Sequence, residues 1–309
     1  MRPDTHIVIT DSGLGGLSIC AALEKNLREA GVSRAVRLTY VNAWPFEDRG
    51  YNDLPEAAGR ADVFDRALLR MSAMHPDRIL IACNTLSILY PRTEFSRNPP
   101  VPVQGIVDAG VDLFAERLRD DPAASLVLTG TRTTIESGVH RDRLVLRGIY
   151  PARIAAASCH GLAAAIEKDV DGAGVAELID VCATRAAAAA PPGGVLFVGL
   201  CCTHYGYVAV RIVDALARKT RRRVRALDPN LRLVGSLMAE DGFFEGARGR
   251  ESGTGEALRC GSRGDVTVEL ISKVELDETA RRGIARLIEP VSAVAADALL
   301  SYAHVPDLF

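Results

Sequence analysis

The chain has 309 residues, of which 48% are hydrophobic and 25% are charged, a balance typical of a globular protein with one large domain or two ordinary ones. Its formal net charge of −2 gives no electrostatic reason to expect nucleic acid or an acidic membrane surface as a partner. No apolar stretch reaches the roughly 20 residues of a membrane span, and residues 1–10 lack the layout of a signal peptide, so we expect a cytoplasmic protein.

Short apolar runs alternate with amphipathic helical stretches along the whole chain. The apolar runs predict strands at 6–10, 36–41, 78–83, 101–107, 125–130, 144–149, 194–200, 223–228 and 266–272. The other patterns predict helices over 18–30 and 56–74, a helix stopped by prolines and glycines at 185–194, a polar loop over 247–264 and a last helix over 278–303. Continuous apolar strands separated by helices predict mostly parallel sheets covered on both faces, which is an α/β architecture.

Seven cysteines are scattered along the chain, an odd number without the CxxC spacing of metal or redox motifs. In a chain of this length without an export signal, they are expected to be free thiols in a reducing compartment. Two positions stand where apolar runs end, Cys83 after one strand and Cys202 after another, and Cys201 is expected to point into the sheet packing. The remaining four are interpreted as small core residues: Cys20, Cys159, Cys182 and Cys260.

The chain carries a weak internal repeat with an offset of 119 residues. At that offset "IVITDS" (7–12) falls on "LVLTGT" (126–131), and "ILIACNT" (79–85) falls on "VGLCCTH" (198–204). Apolar strands resemble one another in many proteins, but two strand ends that keep one offset favour a duplicated α/β unit. We therefore expect two pseudo-symmetric domains, each a mostly parallel sheet covered by helices, with the active site in the cleft between them.

The repeat also predicts where the chain divides. The first domain is expected to comprise residues 1–105 together with 226–309, which include a C-terminal extension, and the second domain to comprise residues 106–225. Ligands of open α/β sheets lie beyond the carboxyl ends of the strands. Two facing halves would therefore place Cys83 on one side of a cleft and Cys202 on the other.

Two thiols that flank one small molecule suit stereoinversion in particular. One thiolate removes a proton from a carbon atom, and the opposite thiol returns a proton to the other face. The unpaired N–H groups at a helix N-terminus can hold the carboxylate of a small acid. The same helix end is expected to lower the pKa of each thiol from about 8.5 toward neutrality.

Three segments resemble the signature segments of the cofactor-independent aspartate/glutamate racemase superfamily, and they are most similar to its glutamate racemase branch: "DSGLGGLS" (11–18), "ACNT" (82–85) and "CTHY" (202–205). The segments "TGTRTTIESG" (129–138) and "ALDPN" (226–230) are also similar to that branch. The resemblance implies an isomerase with a small amino-acid substrate, no metal and no pyridoxal cofactor, and it leaves a homodimer possible.

The resemblance also implies roles for individual residues. Cys83 and Cys202 would be the two acid/base residues, and Asp11 and His204 would assist proton transfer at the two thiols. The amino and carboxylate groups of the substrate would be held by Ser12, Asn84, Thr85, Thr131 and Thr203. From the residues alone, Asp11 could instead cap the helix after the glycines, and His204 could brace a loop, although histidine titrates near neutrality.

The chain departs from the glutamate racemase pattern in the loop that helps to seat the substrate. Glutamate racemases carry Pro-Tyr-Gly there, whereas this chain reads "NAWPFEDRGYNDLP" at 42–55, and Gly206 replaces the usual proline after "CTHY". Two hypotheses follow: Arg49 pairs with a distal carboxylate of the substrate, or Trp44 shapes an apolar pocket. Glutamate is therefore the first expected substrate, and another amino acid is the second.

Other functions remain open from the residues alone. "DSGLGGLS" lacks the spacing of a dinucleotide loop and the Gly-Lys-Ser of a phosphate loop, and Cys202 with His204 lacks a second pair of zinc ligands. Related enzymes of the superfamily include hydantoin racemases and decarboxylases, and the decarboxylases need only one of the two cysteines. A regulatory protein whose basic run "RKTRRRVR" (218–225) touches nucleic acid is the alternative from another class.

Overall fold

The fold rests on two parallel β-sheets. A computed structural model describes residues 4–54, 57–240 and 264–309. Its strands, in chain order, are β1 (Asp4–Asp11), β2 (Ala35–Asn42), β3 (Arg78–Ile81), β4 (Val103–Gly105), β5 (Ser125–Gly130), β6 (Ile154–Ser158), β7 (Leu196–Cys201), β8 (Val224–Leu227), β9 (Val266–Ser272) and β10 (Ala303–His304).

Helices precede or follow most of these strands. The α-helices within the described residues are α1 (Leu17–Ala30), α2 (Ala57–Ser72), α3 (Asn84–Leu89), α4 (Ile106–Asp120), α5 (Arg132–Glu136), α6 (Val139–Leu146), α7 (Leu162–Lys168), α8 (Ala173–Ala189), α9 (Ala209–Thr220), α10 (Pro229–Met238), α11 (Glu278–Ile288) and α12 (Ala293–Leu300). Short 3₁₀ helices lie at Tyr51–Asp53, Tyr90–Arg92, Phe95–Arg97, Pro151–Arg153 and Thr203–Val208. None of the helices in these ranges is both long and apolar enough to cross a membrane.

Four neighbouring strands of the first sheet, β2-β1-β3-β4, have the same order as the four strands of the second sheet, β6-β5-β7-β8. The first sheet runs β10-β9-β2-β1-β3-β4 and the second runs β6-β5-β7-β8. Every pairing in both sheets is parallel. The first strand of each unit, β1 or β5, lies between the second and third strands of that unit, as a duplicated arrangement requires. The predicted α/β architecture of two covered parallel sheets is confirmed.

Alternating burial explains the continuous apolar runs of the central strands. In β1, Ile7 and Ile9 pack on one face with α1, α10, α11 and α12, whereas Val8 packs on the opposite face with α2 and α3. In β5, Val127 faces α7, α8 and α9, whereas Leu126 on the other face packs with α4 and α6. Because successive side chains of a strand point to opposite faces, a strand between two helical layers is apolar at every position.

The prediction of a strand at 144–149 is wrong, because residues 144–146 complete helix α6 and the rest of the segment forms no strand. His140 and Leu144 are both buried, and they lie four residues apart on one face of the helix, while Leu146 is 86% exposed. The chain leaves the helix at Gly148, whose φ of 82° favours glycine. The strand follows as β6, in a segment "IAAAS" whose small side chains gave no strand signal.

The helix predicted over 278–303 is two helices. The chain passes from α11 to α12 through Pro290, which has no backbone N–H to continue the helix. The hydroxyl of Ser292 then caps α12 by accepting a hydrogen bond from the Ala295 N–H at 3.0 Å. The predicted loop over 247–264, with Cys260, lies outside the described residues apart from Gly264.

Cys159 and Cys182 are joined by a disulfide, contrary to the expectation that every cysteine is a free thiol. Cys159 follows β6, and Cys182 lies on α8, which packs against that strand in the same hydrophobic cluster. Their Cα atoms are 5.1 Å apart, a separation that a disulfide can span. The free cysteines of the described residues are Cys20, Cys83, Cys201 and Cys202.

The chain enters the second sheet after β4 and leaves it after β8. The division expected from the sequence, after residue 105 and before residue 226, falls at the end of β4 and within β8. Helix α10 and strand β9 follow, and β9 pairs with β2 of the first sheet.

Candidate active site

A cavity of about 900 Å³ opens at the carboxyl ends of strands from both sheets. Because β1 pairs with β3 and β5 pairs with β7, the residues that follow neighbouring strands meet at one edge of each sheet. The two edges face the same cavity. The predicted site residues that line it are Asp11, Ser12, Cys83, Asn84, Thr85, Thr131, Cys202, Thr203 and His204.

Cys83 lies between β3 and α3, and its Sγ is 3.2 Å from the hydroxyl of Ser12. Asp11 ends the neighbouring strand β1 and is 1% exposed. Burial, followed by the negative charge of Asp11, raises the pKa of the Cys83 thiol. The expectation that a helix end lowers this pKa was therefore wrong, since hydrogen bonds to Ser12 and to the Leu86 N–H lower it by less than burial and Asp11 raise it.

Cys202 follows β7, and its Sγ is 3.9 Å from Nδ1 of His204. The Nε2 atom of His204 is 2.6 Å from Oε2 of Glu167 on α7, and that oxygen also accepts a hydrogen bond from the Leu14 N–H at 2.9 Å. Burial alone would lower the pKa of His204, but hydrogen bonds to Cys202 and Glu167, with the charges of both groups, raise it well above its ordinary value. This corner can therefore hold an imidazolium beside the sulfur of Cys202.

The two cysteine corners contact each other through Asp11. Thr203 donates a hydrogen bond from its hydroxyl to Oδ2 of Asp11 at 2.7 Å, and Oδ1 accepts one from the Ser12 N–H at 2.6 Å. Burial raises the pKa of Asp11, while the charge of His204 and these hydrogen bonds act in the opposite direction. A continuous polar chain therefore joins the surroundings of the two thiols.

The glycines of "DSGLGGLS" permit this close contact. A Cβ atom at Gly13 would lie 2.6 Å from Oε2 of Glu167, and one at Gly15 would lie 2.5 Å from Nδ1 of His204. Distances below 3.0 Å are closer than Cβ atoms approach other heavy atoms. A side chain at Gly15 would therefore displace the corner that follows β7, and one at Gly13 would displace the carboxylate of Glu167. The glycines therefore let the loop between β1 and α1 pack directly against the residues around Cys202.

Hydroxyl and amide groups stand beside Cys83. Oγ1 of Thr85 is 3.0 Å from Oγ1 of Thr131 and 3.1 Å from Oγ1 of Thr134, so residues from both halves meet there. Asn84, the first residue of α3, has its Oδ1 3.1 Å from Nε2 of His140. These groups can donate hydrogen bonds to a carboxylate or accept them from an ammonium group.

Two residues of this arrangement were missed by sequence reasoning. Glu167 lies in "LAAAIEK", a short helix without a motif, and only the fold reveals its contact with His204. His140 lies just before the segment interpreted as a strand. A helical interpretation would have marked it as buried, because His140 and Leu144 share one face.

Arg49 does not belong to the described wall of the cavity. Its guanidinium is 3.6 Å from Asp48 and lies 5.2 Å over the ring of Phe46, and its side chain is 54% exposed. Trp44 does line the cavity, with its ring packed so closely on Gly50 that a Cβ there would lie 2.5 Å from the indole. In this geometry Trp44 faces the cavity and Arg49 does not.

Part of the wall comes from the segment after β9, where Val274, Leu276 and Ala280 contribute apolar surface. Among the described wall residues, Lys168 is the single lysine or arginine. The wall carboxylates in the same ranges are Asp11, Glu47, Asp53, Glu167, Asp169, Glu275 and Asp277. No group of three or more His, Cys, Asp or Glu side chains in the described part of the chain is arranged to hold a metal ion.

Comparisons with known proteins agree with these features. A family model described as Asp/Glu/Hydantoin racemase matches residues 8–237. The chain is 29% identical over 147 residues to the glutamate racemase of Chlorobium phaeobacteroides, covering 47% of this chain and 48% of that protein, so it spans about half the length of that relative. It is 30% identical over 239 residues to the glutamate racemase of Brucella ovis, covering 74% and 77%. The fold is similar to that of glutamate racemase RacE1 from Bacillus anthracis, with a TM-score of 0.66, 15% identity and 94% of each chain covered.

Proposed function

Since the chain belongs to the Asp/Glu/hydantoin racemase family, we propose that it is an amino-acid racemase that needs no cofactor and inverts the α-carbon with Cys83 and Cys202 as its two bases. The observation that carries the proposal is that both cysteines line one cavity, each beside its own polar partner. A volume of about 900 Å³ is ample for a small amino acid between them.

The proposed reaction takes one proton off the α-carbon and puts another on. In one direction the thiolate of Cys83 takes the α-proton, so the C–H bond breaks, an S–H bond forms and the electron pair stays on the substrate as a carbanion. The Cys202 thiol then gives its proton to the opposite face and becomes a thiolate. In the other direction the two cysteines exchange roles.

Asp11 and His204 are proposed to assist these transfers, each at its own thiol. The charge of Asp11 and the burial of Cys83 oppose ionisation of that thiol. A substrate ammonium group bound beside Asp11 would offset this charge and favour the thiolate. Protonated His204, whose Nε2 is 2.6 Å from Oε2 of Glu167, would stabilise negative charge on Cys202.

The α-hydrogen is far less acidic than a thiol, and each 1.36 kcal/mol or so of that difference costs about tenfold in rate. Fixed hydrogen-bond donors lower such a barrier because they need no reorganisation as the carbanion develops. The groups proposed to hold the amino and carboxylate groups of the substrate are Ser12, Asn84, Thr85, Thr131 and Thr203.

Glutamate is the first proposed substrate, because both sequence relatives described above are glutamate racemases. A second candidate is an amino acid without a distal carboxylate. Trp44 and Leu276 give the wall an apolar part, and Lys168, the single lysine or arginine of the described wall, is exposed. A distal carboxylate therefore has few cationic partners in this geometry, and Arg49 would need to turn toward the cavity to supply one.

Incubation with each amino acid in heavy water tests the proposal, with deuterium uptake at the α-carbon and optical rotation followed together. We expect glutamate to exchange and to lose its optical rotation, and exchange of a neutral amino acid alone would favour the second candidate. The variant with both Cys83→Ala and Cys202→Ala is the control without the two bases. Exchange with no amino acid would refute the racemase function, and salt-sensitive DNA binding that survives in the control would favour a regulatory protein.

Further properties are proposed from the sequence. The protein is proposed to be cytoplasmic and to use neither nucleic acid nor a membrane as a partner, and the resemblance leaves a homodimer possible. Its two domains are proposed to comprise residues 1–105 with 226–309, and residues 106–225. Sedimentation equilibrium at several protein concentrations tests the dimer, and a monomer throughout would refute it.

A further inference from the structure

The side-chain amide of Asn84 has one paired end and one open end. Its Oδ1 is 3.1 Å from Nε2 of His140, whereas its Nδ2 is buried without a hydrogen-bond partner in the described part of the chain. The residue is 2% exposed and lines the cavity directly after Cys83. Because an unpaired buried amide is costly, a ligand group that accepts a hydrogen bond is expected beside it.

His140 lies behind Asn84, outside the described wall of the cavity. It is 3% exposed on α6, and its ring is tilted against Phe114 with the ring centroids 6.5 Å apart. Burial, with a further effect of the Arg143 charge, lowers the pKa of His140 to about 4. The ring is therefore neutral near pH 7 and carries one N–H, while its other nitrogen is an acceptor.

We propose that His140 is a positioning residue, whose Nε2–H donates to Oδ1 of Asn84 and so turns the Nδ2 group of Asn84 toward the substrate carboxylate. The inference rests on the proposed racemase function and deepens it, because it assigns how one carboxylate donor is oriented. With the proton on Nδ1 instead, Nε2 would accept from the amide and Oδ1 of Asn84 would face the cavity. That oxygen would repel a carboxylate, so the tautomer of one buried ring sets the polarity of the site.

The tautomer can be measured without substrate. In the full-length protein labelled with ¹⁵N-histidine, the ring of His140 is expected to show a protonated Nε2 and an unprotonated Nδ1 from pH 8 down to about pH 5.5. The His140→Gln variant identifies its resonances. A proton on Nδ1, or a charged ring in this pH range, overturns the positioning role whether or not the protein racemises anything.

Kinetics test the consequence for binding, with the amino acid whose α-hydrogen the wild-type protein exchanges. His140→Phe keeps a ring but removes the donor, and we expect kcat/KM to fall about tenfold, mostly through a higher KM. His140→Gln retains an N–H donor and should stay within about threefold of the wild type. In an Asn84→Ala background, His140→Phe should cause no further loss.

These outcomes separate the two proposals. An equal loss from His140→Phe in both backgrounds indicates a structural role and overturns the positioning inference, as does an unchanged KM in the single variant. If the wild-type protein exchanges no amino acid, the racemase proposal fails, and the ring nitrogens of His140 still decide the orientation of Asn84.

Discussion

Glu167→Gln removes the charge that faces His204 and keeps the shape of the side chain. In the structure, Oε2 of Glu167 is 2.6 Å from Nε2 of His204 and 2.9 Å from the Leu14 nitrogen, so the amide oxygen of a glutamine can keep both contacts but not the negative charge. The pKa of His204 is held up by its hydrogen bonds and charges against the effect of burial. Losing the carboxylate should therefore lower this pKa.

The size of the expected loss in kcat/KM follows from the charge-assisted hydrogen bond between Glu167 and His204. A hydrogen bond to a charged group contributes roughly 1.5–3 kcal/mol, and with the Glu167 side chain 24% exposed the lower part of that range applies. About 1.5–2 kcal/mol corresponds to a loss of roughly ten- to thirtyfold in kcat/KM if the imidazolium takes part in the rate-limiting proton transfer.

The assay is α-hydrogen exchange in heavy water between about pH 6 and pH 9, since an unperturbed histidine titrates near the lower end of that range. A raised pKa keeps His204 protonated to higher pH, so the variant should lose activity at a lower pH than the wild type does. Asp169→Asn is the matched control, because Asp169 also lines the cavity but is exposed at its edge. An unchanged rate with an unchanged pH profile would show that Glu167 does not act through His204.

Three other outcomes are expected. Cys83→Ala and Cys202→Ala should each abolish racemisation measured by optical rotation, and an active single variant would refute the two-base assignment. Gly15→Ala should lower the free energy of unfolding in urea by about 1–3 kcal/mol through overpacking, whereas Gly59→Ala, with no atom within 4 Å of its Cβ, should cost nothing. The free energy of unfolding should fall as pH drops from 6.5 toward 4, because His140 binds a proton in the unfolded chain but stays neutral in the folded protein until about pH 4. His140→Phe should remove about 3 kcal/mol of this pH dependence. Equal acid sensitivity of the wild type and the variant would contradict this prediction.

The strands that carry the site could be predicted because each is a continuous apolar run that ends in a polar corner. β1, β3, β5 and β7 are buried on both faces, so no helical periodicity competes with the strand signal. Parallel pairing then brings together the carboxyl ends of β1 and β3 in one sheet and of β5 and β7 in the other. The internal repeat, which predicts two facing halves, is why Cys83 and Cys202 could be expected on opposite sides of one cleft. The prediction at 144–149 was wrong because the apolar residues of "LVLRGI" suggest a strand, whereas its first residues lie on a helix that buries Leu144 and exposes Leu146.

The side-chain contacts of the site could not be predicted. Glu167 reaches His204 from a helix that no motif marks, and Arg49 turns to Asp48 and Phe46 instead of the cavity. The pKa of Cys83 depends on how completely the fold buries it beside Asp11, which outweighs the helix end that the sequence does reveal. Side-chain orientation and burial are tertiary properties, and local sequence carries little information on either.

Equal topology does not give the two thiols equal chemistry. Cys83 is next to a buried carboxylate, and its pKa is raised, whereas the sulfur of Cys202 is 3.9 Å from an imidazole that a second carboxylate keeps protonated. The surroundings of Cys83 therefore oppose negative charge on its sulfur, whereas a cation stands beside the sulfur of Cys202. The enantiomer whose α-hydrogen faces Cys202 meets a sulfur beside the His204 imidazole, while the other enantiomer must bring its ammonium group to Asp11 before Cys83 can act as the base. The two directions of the proposed reaction should consequently differ in the pH dependence of kcat and of KM taken separately. Their kcat/KM values should stay equal at every pH, because two enantiomers have equal free energies and the equilibrium constant in water is one.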